Sequence, residues 1–314
     1  MKICDVAVNI FAKPYQTSLA ILSLLRMCGS HIRCLWLQFE PAGSRFDTIS
    51  PYTIAWYLKE KKLVPLRVFQ PEIWFDCKVA ERSRFSEEAY RLGLRFECAL
   101  EQSDAQFLYL LHNDVFIQKD ILGAMLQGIG KAFAIGPIGQ CWNCPASKEE
   151  VTMAALNRPP CVPSLYTKFK PSYKELVSLY ACSDSLRLFK RSYADGLDPH
   201  FLTQPWPLPE CRVNEWSCLV NLEMTRGHTI PFGDALPIGC YEQCGTYTLD
   251  IGVSWFRSMH ALGFTAAHFP IDGWMRHFGG TGNKSQLRYT QGEDRAKKLL
   301  SLHFPEFIAW LGSH

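Results

Sequence analysis

Short apolar runs alternate with helical spacings through the first third of the chain, the pattern of a parallel sheet built from strand–helix–strand units. Asp5 to Phe11 reads as a buried strand, followed by the polar turn Lys13-Pro14-Tyr15-Gln16. A helix is predicted from about Ser18 to Met27, with Thr17 as its N-cap and Gly29 as its stop. His31 to Phe39 gives a second strand, Ser50-Pro51 opens a second helix, and Leu63 to Phe69 gives a third strand interrupted by Pro65. A longer helix over Ser86 to Leu100 leads into the most strand-like segment of all, Phe107 to Leu111. Beyond it, Pro137 to Ser183 is rich in Pro and Cys and predicts a loop-rich insertion with one or two short helices. From Arg212 to Gly227, Val213, Trp216, Val220 and Met224 fall at helical spacing, and Gly292 to Trp310 reads as an amphipathic closing helix. The division expected is 1–136, 137–183 and 184–314, within one α/β domain carrying a C-terminal elaboration.

Composition narrows the class. Hydrophobic residues make up 47% and charged residues 20%, enough for a large core. The net charge of +3 is spread along the chain without a run of five basic residues, which argues against nucleic acid as the main partner. No stretch of 18 apolar residues suggests a membrane span. Asp5, Lys13 and Pro14 interrupt what would be the apolar part of a signal peptide, so the cytoplasm is expected. Thirteen cysteines, an odd number scattered through apolar segments, fit free thiols in a reducing compartment.

Three segments carry candidate chemistry. His112-Asn113-Asp114 follows the strand Phe107–Leu111 directly, and open parallel sheets bind ligands beyond the carboxyl ends of their strands. A carboxylate there can hold Mg²⁺ or Mn²⁺ with help from phosphate oxygens; the alternative is a polar turn capping the helix that starts near Asp120. Asn214-Glu215-Trp216 places an acid beside an apolar face, where desolvation would raise its pKa and suit it to general-base work. The competing reading is an acid complementing a helix N-terminus. Third, Asp272 to Gly280 contains His277 on a short apolar segment, either a metal ligand or a hydrogen-bonded core residue.

The order of these segments, with Gly196-Leu197-Asp198-Pro199-His200-Phe201 between the first two, resembles that of inverting glycosyltransferases of the GT-A fold. The resemblance spans about residues 5 to 280 and implies a Rossmann-like, mostly parallel sheet flanked by helices. Asp114 matches the last Asp of the family's D-x-D metal signature, with His112 where the first Asp normally stands. Glu215 falls at the family's acidic pair and would be the catalytic base, with Asp198 of the preceding motif as the other acidic candidate. His277 resembles the late His that completes the metal shell. Lys13 and Tyr15 are similar to the nucleotide-contacting loop after the first strand; Arg82, Arg84, His112 and Asn113 are further candidate donor contacts. Implied are Mn²⁺ or Mg²⁺, a nucleotide-diphosphate sugar, and a glycan, lipid-linked glycan or protein acceptor, in a setting such as surface polysaccharide synthesis.

Rival readings remain. A nucleotidyltransferase shares the metal logic but wants a Gly-rich, Lys-containing loop after the first strand, and this turn has no Gly. A catalytically silent nucleotide-sugar or glycan-binding module would lack a base near Asp114. A Rossmann dehydrogenase is disfavoured because no G-x-G-x-x-G follows the first strand. Cys141-x-x-Cys144, with the looser pair Cys240 and Cys244, offers four thiolates for a structural Zn²⁺. No paired knuckle surrounds them, so metal-free thiols in a loop are expected.

Overall fold

The structure is a computed structural model that describes residues 3–40, 44–75, 78–189, 199–244, 247–278 and 285–314. Strand β1 (Cys4–Ile10) is buried along its whole length, as its mostly apolar run suits a strand covered on both faces. Asp5 and Asn9 are the polar exceptions. Asp5 is fully buried and accepts hydrogen bonds from Arg33 Nε (2.9 Å), Trp36 Nε1 (2.9 Å) and the Ser103 hydroxyl (2.7 Å), while Asn9 Nδ2 donates to Glu40 Oε1 (2.9 Å). Helix α1 (Pro14–Cys28) follows at once. It begins earlier than the Thr17 cap predicted, because Pro14 is preset for a first helical position. The Thr17 hydroxyl instead donates to Ala12 O at 3.3 Å from inside the first turns.

The chain continues through β2 (Ile32–Phe39), α2 (Thr53–Lys61) and β3 (Leu66–Phe69). The single helix expected over Ser86–Leu100 is two short ones, α3 (Glu88–Leu92) and α4 (Glu97–Gln102). The break runs from Gly93, the C-cap of α3, to Phe96, whose φ of +66° no helix accepts. Then come β4 (Phe107–His112), β5 (Val115–Ile117), α5 (Ile121–Gly128) and β6 (Ala134–Gly136). The middle region contains α6 (Glu149–Leu156) and α7 (Tyr173–Ser185), the latter started by a Ser172–Glu175 capping box. Helix α8 (Pro199–Thr203) precedes β7 (Ser217–Asn221) and the short α9 (Leu222–Thr225). Hairpin β8 (Glu242–Cys244) and β9 (Tyr247–Leu249), α10 (Val253–Ala261), β10 (Ala267–His268) and β11 (Met275–His277) follow. The closing helix is also two, α11 (Gln286–His303) and α12 (Pro305–Gly312), divided at Pro305.

The largest sheet has the order β10-β6-β7-β4-β1-β2-β3. All its pairings are parallel except those of β7, which runs antiparallel to both β4 and β6. The fold class is therefore α/β, with a mostly parallel sheet. One face packs α1, α2, α5, α11 and α12 onto residues such as Val6, Val8, Tyr109 and Leu219. The other face packs α4 and α10 onto Ala7, Leu108, Leu110 and Val220. The helix predicted over Arg212–Gly227 is corrected by β7. Ser217–Asn221 is buried on both faces between two strands, so alternation is lost and the apolar spacing mimics a helix.

Candidate active site

Strand β1 pairs with β2 on one side and with β4 on the other, so the order reverses between β1 and β4. At such a switch point the loops leaving the two carboxyl ends diverge and open a crevice. The loop from β1 brings Lys13, with φ of +56°, to the mouth. The turn from β4 brings His112, Asn113 and Asp114. Asn113 Nδ2 donates to Phe11 O (3.3 Å), Ala12 O (3.2 Å) and Thr17 Oγ1 (2.9 Å), tying the two loops together. Its amide nitrogen thus faces the protein's own turn. Strand β11 then lies antiparallel on β5, pairing His277 with Val115, and Phe278 N donates to Asp114 O at 2.9 Å.

Asp114 is buried and is the hub of the cluster. Its Oδ2 accepts from Lys13 Nζ at 2.8 Å, and its Oδ1 lies 3.1 Å from His277 Nε2 and 3.8 Å from His112 Nδ1. Burial alone would raise its pKa. The His277 hydrogen bond and the charges of Lys13, His277 and His112 outweigh that and hold it below the usual carboxylate range. Burial pushes His112 down to about 3, with His277 adding to the effect against the pull of Asp114. A neutral imidazole keeps a ring lone pair for a metal or a proton. The Trp216 ring stacks on His277 with centroids 4.7 Å apart, fixing the imidazole plane. The capping alternative for Asp114 fails, because α5 is capped by Asp120, whose carboxylate accepts from Gly123 N at 2.9 Å.

Because β7 runs antiparallel to β4, its first residue lies beside the carboxyl end of β4, with Ser217 opposite Leu111. Glu215, two residues earlier, therefore belongs to the same edge as His112. Its Oε1 is 3.7 Å from His112 Nε2, and its Oε2 accepts from Arg212 Nη2 at 3.0 Å. Arg212 is held in turn by Asp250 (2.8 Å) and by Ile251 O (2.8 Å). Burial raises the Glu215 pKa and the Asp250 charge adds to it, against the opposing charges of Arg212 and Arg95. No helix begins at Glu215, so the dipole-complementing reading lapses.

The other predicted residues lie elsewhere. Arg82 pairs with Glu242 and Arg84 with Glu87, in a single 3₁₀ turn. The Tyr15 ring lines a separate cavity of about 730 Å³ with Thr53, Trp56, Lys297 and Trp310, a cavity that none of Asp114, His112 and His277 lines. Asp198 falls outside the described residues. Arg212, Asp250 and Arg95 were not anticipated. Arg95 stands near Glu40, with 3.8 Å between their charged atoms, and its backbone is pressed against Gly239. A Cβ at Gly239 would lie 2.2 Å from Arg95 O, so only glycine fits there. Nothing local marks Arg95 or Asp250, because tertiary structure alone brings them to the edge, whereas Arg212 precedes Glu215 by three residues.

No family model matches the chain, and no curated protein matches it in sequence. Solved structures of similar shape include glucosyl-3-phosphoglycerate synthase from Mycobacterium tuberculosis, in complex with Mn²⁺, uridine-diphosphate and phosphoglyceric acid. It is 11% identical, with a TM-score of 0.42, covering 96% of this chain and 78% of that one. Core-mannan synthase A from Aspergillus fumigatus, in a Mn/GDP form, is 9% identical over 72% of this chain and 61% of that one, at a TM-score of 0.35. Mouse xyloside xylosyltransferase 1 is 16% identical over 70% and 68%, at 0.33. Likenesses this loose say nothing of chemistry. The functional reading therefore rests on the site itself.

The donor atoms of His112, Asp114 and His277 all lie within 4.8 Å of one another. The carboxylate oxygen suits Mn²⁺ or Mg²⁺, and the two imidazole nitrogens favour a transition ion such as Mn²⁺ over Mg²⁺, with phosphate or water oxygens filling the remaining positions. The residues fit such an ion. No helix of the described residues is long and apolar enough to cross a membrane.

Proposed function

We propose that the chain is an inverting GT-A glycosyltransferase that moves a sugar from a nucleotide-diphosphate sugar to an acceptor hydroxyl. One observation carries the reading. A buried acid with a raised pKa, Glu215, stands 3.7 Å from the imidazole of a carboxylate–imidazole cluster at the sheet's switch point. A binding module has no need of a base there.

Asp114, His112 and His277 would hold the divalent ion, which when bound neutralises charge building on the departing diphosphate. Lys13 adds a fixed positive charge at the β1 loop and holds the Asp114 carboxylate through its 2.8 Å pair. Trp216 holds His277 by stacking. Glu215 takes the proton of the acceptor hydroxyl as that oxygen attacks the anomeric carbon from the face opposite the diphosphate. Arg212, clamped by Asp250 and Ile251 O, fixes one Glu215 oxygen, and the other lies 3.7 Å from His112 Nε2. Glycan, lipid-linked glycan and protein acceptors all offer the required hydroxyl, and a cytoplasmic step in surface polysaccharide synthesis is the setting we favour.

The test is a screen of nucleotide sugars for Mn²⁺-dependent release of free nucleoside diphosphate, with Asp114→Asn as control. Release by the wild type alone supports the reading. Release of pyrophosphate instead would mark a nucleotidyltransferase, and tight binding without turnover of any donor–acceptor pair would mark a binding module.

A further inference from the structure

Helix α11 buries a stripe that its apolar residues alone do not explain. Its buried positions are Tyr289, Glu293, Ala296 and Leu300, the spacing of one helix face. Ala296 and Leu300 join the apolar core, as that face requires. Tyr289 and Glu293, one helical turn apart, put a phenol and a carboxyl group on the same face. Buried polar groups are costly unless something hydrogen-bonds to them. Their partner is the turn between β1 and α1.

That turn is strained. Ala12 and Lys13 stand in succession at φ of +52° and +56°, a region that residues other than glycine enter at a cost and rarely in pairs. Such a conformation persists only where its surroundings hold it. Asn113 Nδ2 and the Thr17 hydroxyl donate to Ala12 O at 3.2 and 3.3 Å, and α11 holds the rest. Lys13 N donates to the Tyr289 hydroxyl oxygen at 2.8 Å and to Asp47 Oδ1 at 3.3 Å, while the Tyr289 O–H is itself spent on Asp47. Tyr15 N and Gln16 N donate to the two oxygens of Glu293 at 2.9 and 3.1 Å. Lys297, one turn beyond Glu293, sets its ammonium over the Tyr15 ring, 5.3 Å from the centroid.

These bonds also decide what the turn can offer a ligand. The N-terminus of a helix is a ready phosphate cradle where its N–H groups are free. At α1 they are taken. Pro14 has no N–H, those of Lys13, Tyr15 and Gln16 end on Tyr289, Asp47 and Glu293, and Thr17 N donates to Lys13 O at 2.8 Å. What remains for an anion is the Lys13 ammonium, buried 2.8 Å from Asp114. We propose that Tyr289 and Glu293 are positioning residues of the transfer site. They hold the Ala12–Lys13 turn in its left-handed form, so that the Lys13 ammonium, and not the N-terminus of α1, meets the donor's diphosphate beside Asp114. For its ligand the proposal rests on the glycosyltransferase reading; for the clamp it rests on the geometry alone. Both residues act through backbone N–H groups of the turn, and through them on Lys13.

Two readouts test the clamp and the ligand separately. Acetylation of the full-length protein with limiting acetic anhydride, followed by mass spectrometry, reports the protection of Lys13 independently of activity. Lys13 should label slowly in the wild type and roughly three- to tenfold faster in Tyr289→Phe, the effect of one lost hydrogen bond, while the exposed Lys61 and Lys119 label alike in both. Glu293→Ala should act in the same direction, and Glu293→Gln, which keeps one acceptor oxygen, should recover part of the protection. Calorimetry with uridine diphosphate and guanosine diphosphate, each with Mn²⁺, reads the ligand. Tyr289→Phe should weaken the diphosphate that binds by a similar factor, but should cost nothing further in a Lys13→Met background, because the clamp acts through Lys13. Unchanged Lys13 labelling in Tyr289→Phe and Glu293→Ala would overturn the clamp. Faster labelling with unchanged diphosphate affinity, or an equal loss of affinity in the Lys13→Met background, would overturn its link to the donor. A wild type that binds neither diphosphate, with labelling changed as expected, would sink the glycosyltransferase reading and the ligand with it, and leave the clamp standing.

Discussion

Replacing Glu215 with Gln tests the proposed base with little change of shape. The amide keeps one oxygen for Arg212 Nη2, now 3.0 Å from Oε2, but has no basicity to accept a proton. The stability cost should be small. Removing one partner of a buried ion pair costs about 3–5 kcal/mol when the other charge is left alone. Here Arg212 keeps the Asp250 carboxylate at 2.8 Å and Ile251 O at 2.8 Å, so about 1 kcal/mol is the better expectation. The charge-burial penalty that raises the Glu215 pKa also vanishes with the charge, which offsets part of that loss. The kinetic cost should be large, since general-base assistance contributes about 10²–10⁴-fold.

The assay is sugar transfer with saturating Mn²⁺, followed across pH for wild type and variant, with donor affinity measured separately by calorimetry. The wild-type rate should rise with pH as Glu215 loses its proton, and because its pKa is raised that rise should lie above the range of ordinary carboxylates. In Glu215→Gln this limb should disappear, kcat should fall at least roughly a hundredfold, and donor affinity should hold. A variant that transfers sugar at a near-normal rate with an unchanged acid limb would refute the assignment. Weakened donor binding with unchanged kcat would leave Glu215 a role in shaping the cleft only.

Three further outcomes follow from neighbouring groups. Asp250→Asn removes a charge that raises the Glu215 pKa, so the acid limb of the rate profile should move to lower pH; an unmoved limb would mean that Asp250 does not act on the base. Asp114→Asn should abolish Mn²⁺-dependent turnover and also cost about 3–5 kcal/mol in urea unfolding, because it leaves the buried Lys13 ammonium without its 2.8 Å partner; adding Lys13→Met should restore much of that stability. Glu293 accepts from the N–H groups of Tyr15 (2.9 Å) and Gln16 (3.1 Å), and burial pushes its pKa up to about 7. A raised folded pKa favours the protonated form, so its contribution is complete below about pH 4.5 and lost as pH rises through 7, on the order of 2–3 kcal/mol that Glu293→Gln should make pH-independent in thermal melts.

What could be read from the sequence follows burial. β4 stood out because a strand covered on both faces reads as an apolar run, β1 and β2 because they are mostly apolar, and His112-Asn113-Asp114 because it ends the strongest of them. The same physics hid β7. Its five residues are all buried, so they carry no alternation, and Val213, Trp216, Val220 and Met224 imitated a helix face. Gly93 ends α3 inside the helix expected over Ser86–Leu100, and the left-handed Phe96 completes the break with no residue type to announce it. Arg95 and Asp250 join the site only through long-range packing, to which local pattern has no access, whereas Arg212 stands three residues before the base it holds.

The misread strand bears directly on the base. Had Arg212–Gly227 been the helix its spacing suggested, Glu215 would have sat in a first turn, where an acid complements exposed N–H groups and no crevice is implied. Had the strand been parallel to β4, as the rest of the sheet suggested, Glu215 would have preceded it at the opposite edge. Five residues at about 3.3 Å each would then have separated it from His112 by roughly 17 Å. Only the antiparallel direction, with Ser217 opposite Leu111, brings the residues before β7 to the carboxyl edge where β4 delivers His112 and Asp114. The 3.7 Å approach of Glu215 to His112 is thus set by strand polarity, and the one reversed strand of the sheet is what makes a base available beside the cluster.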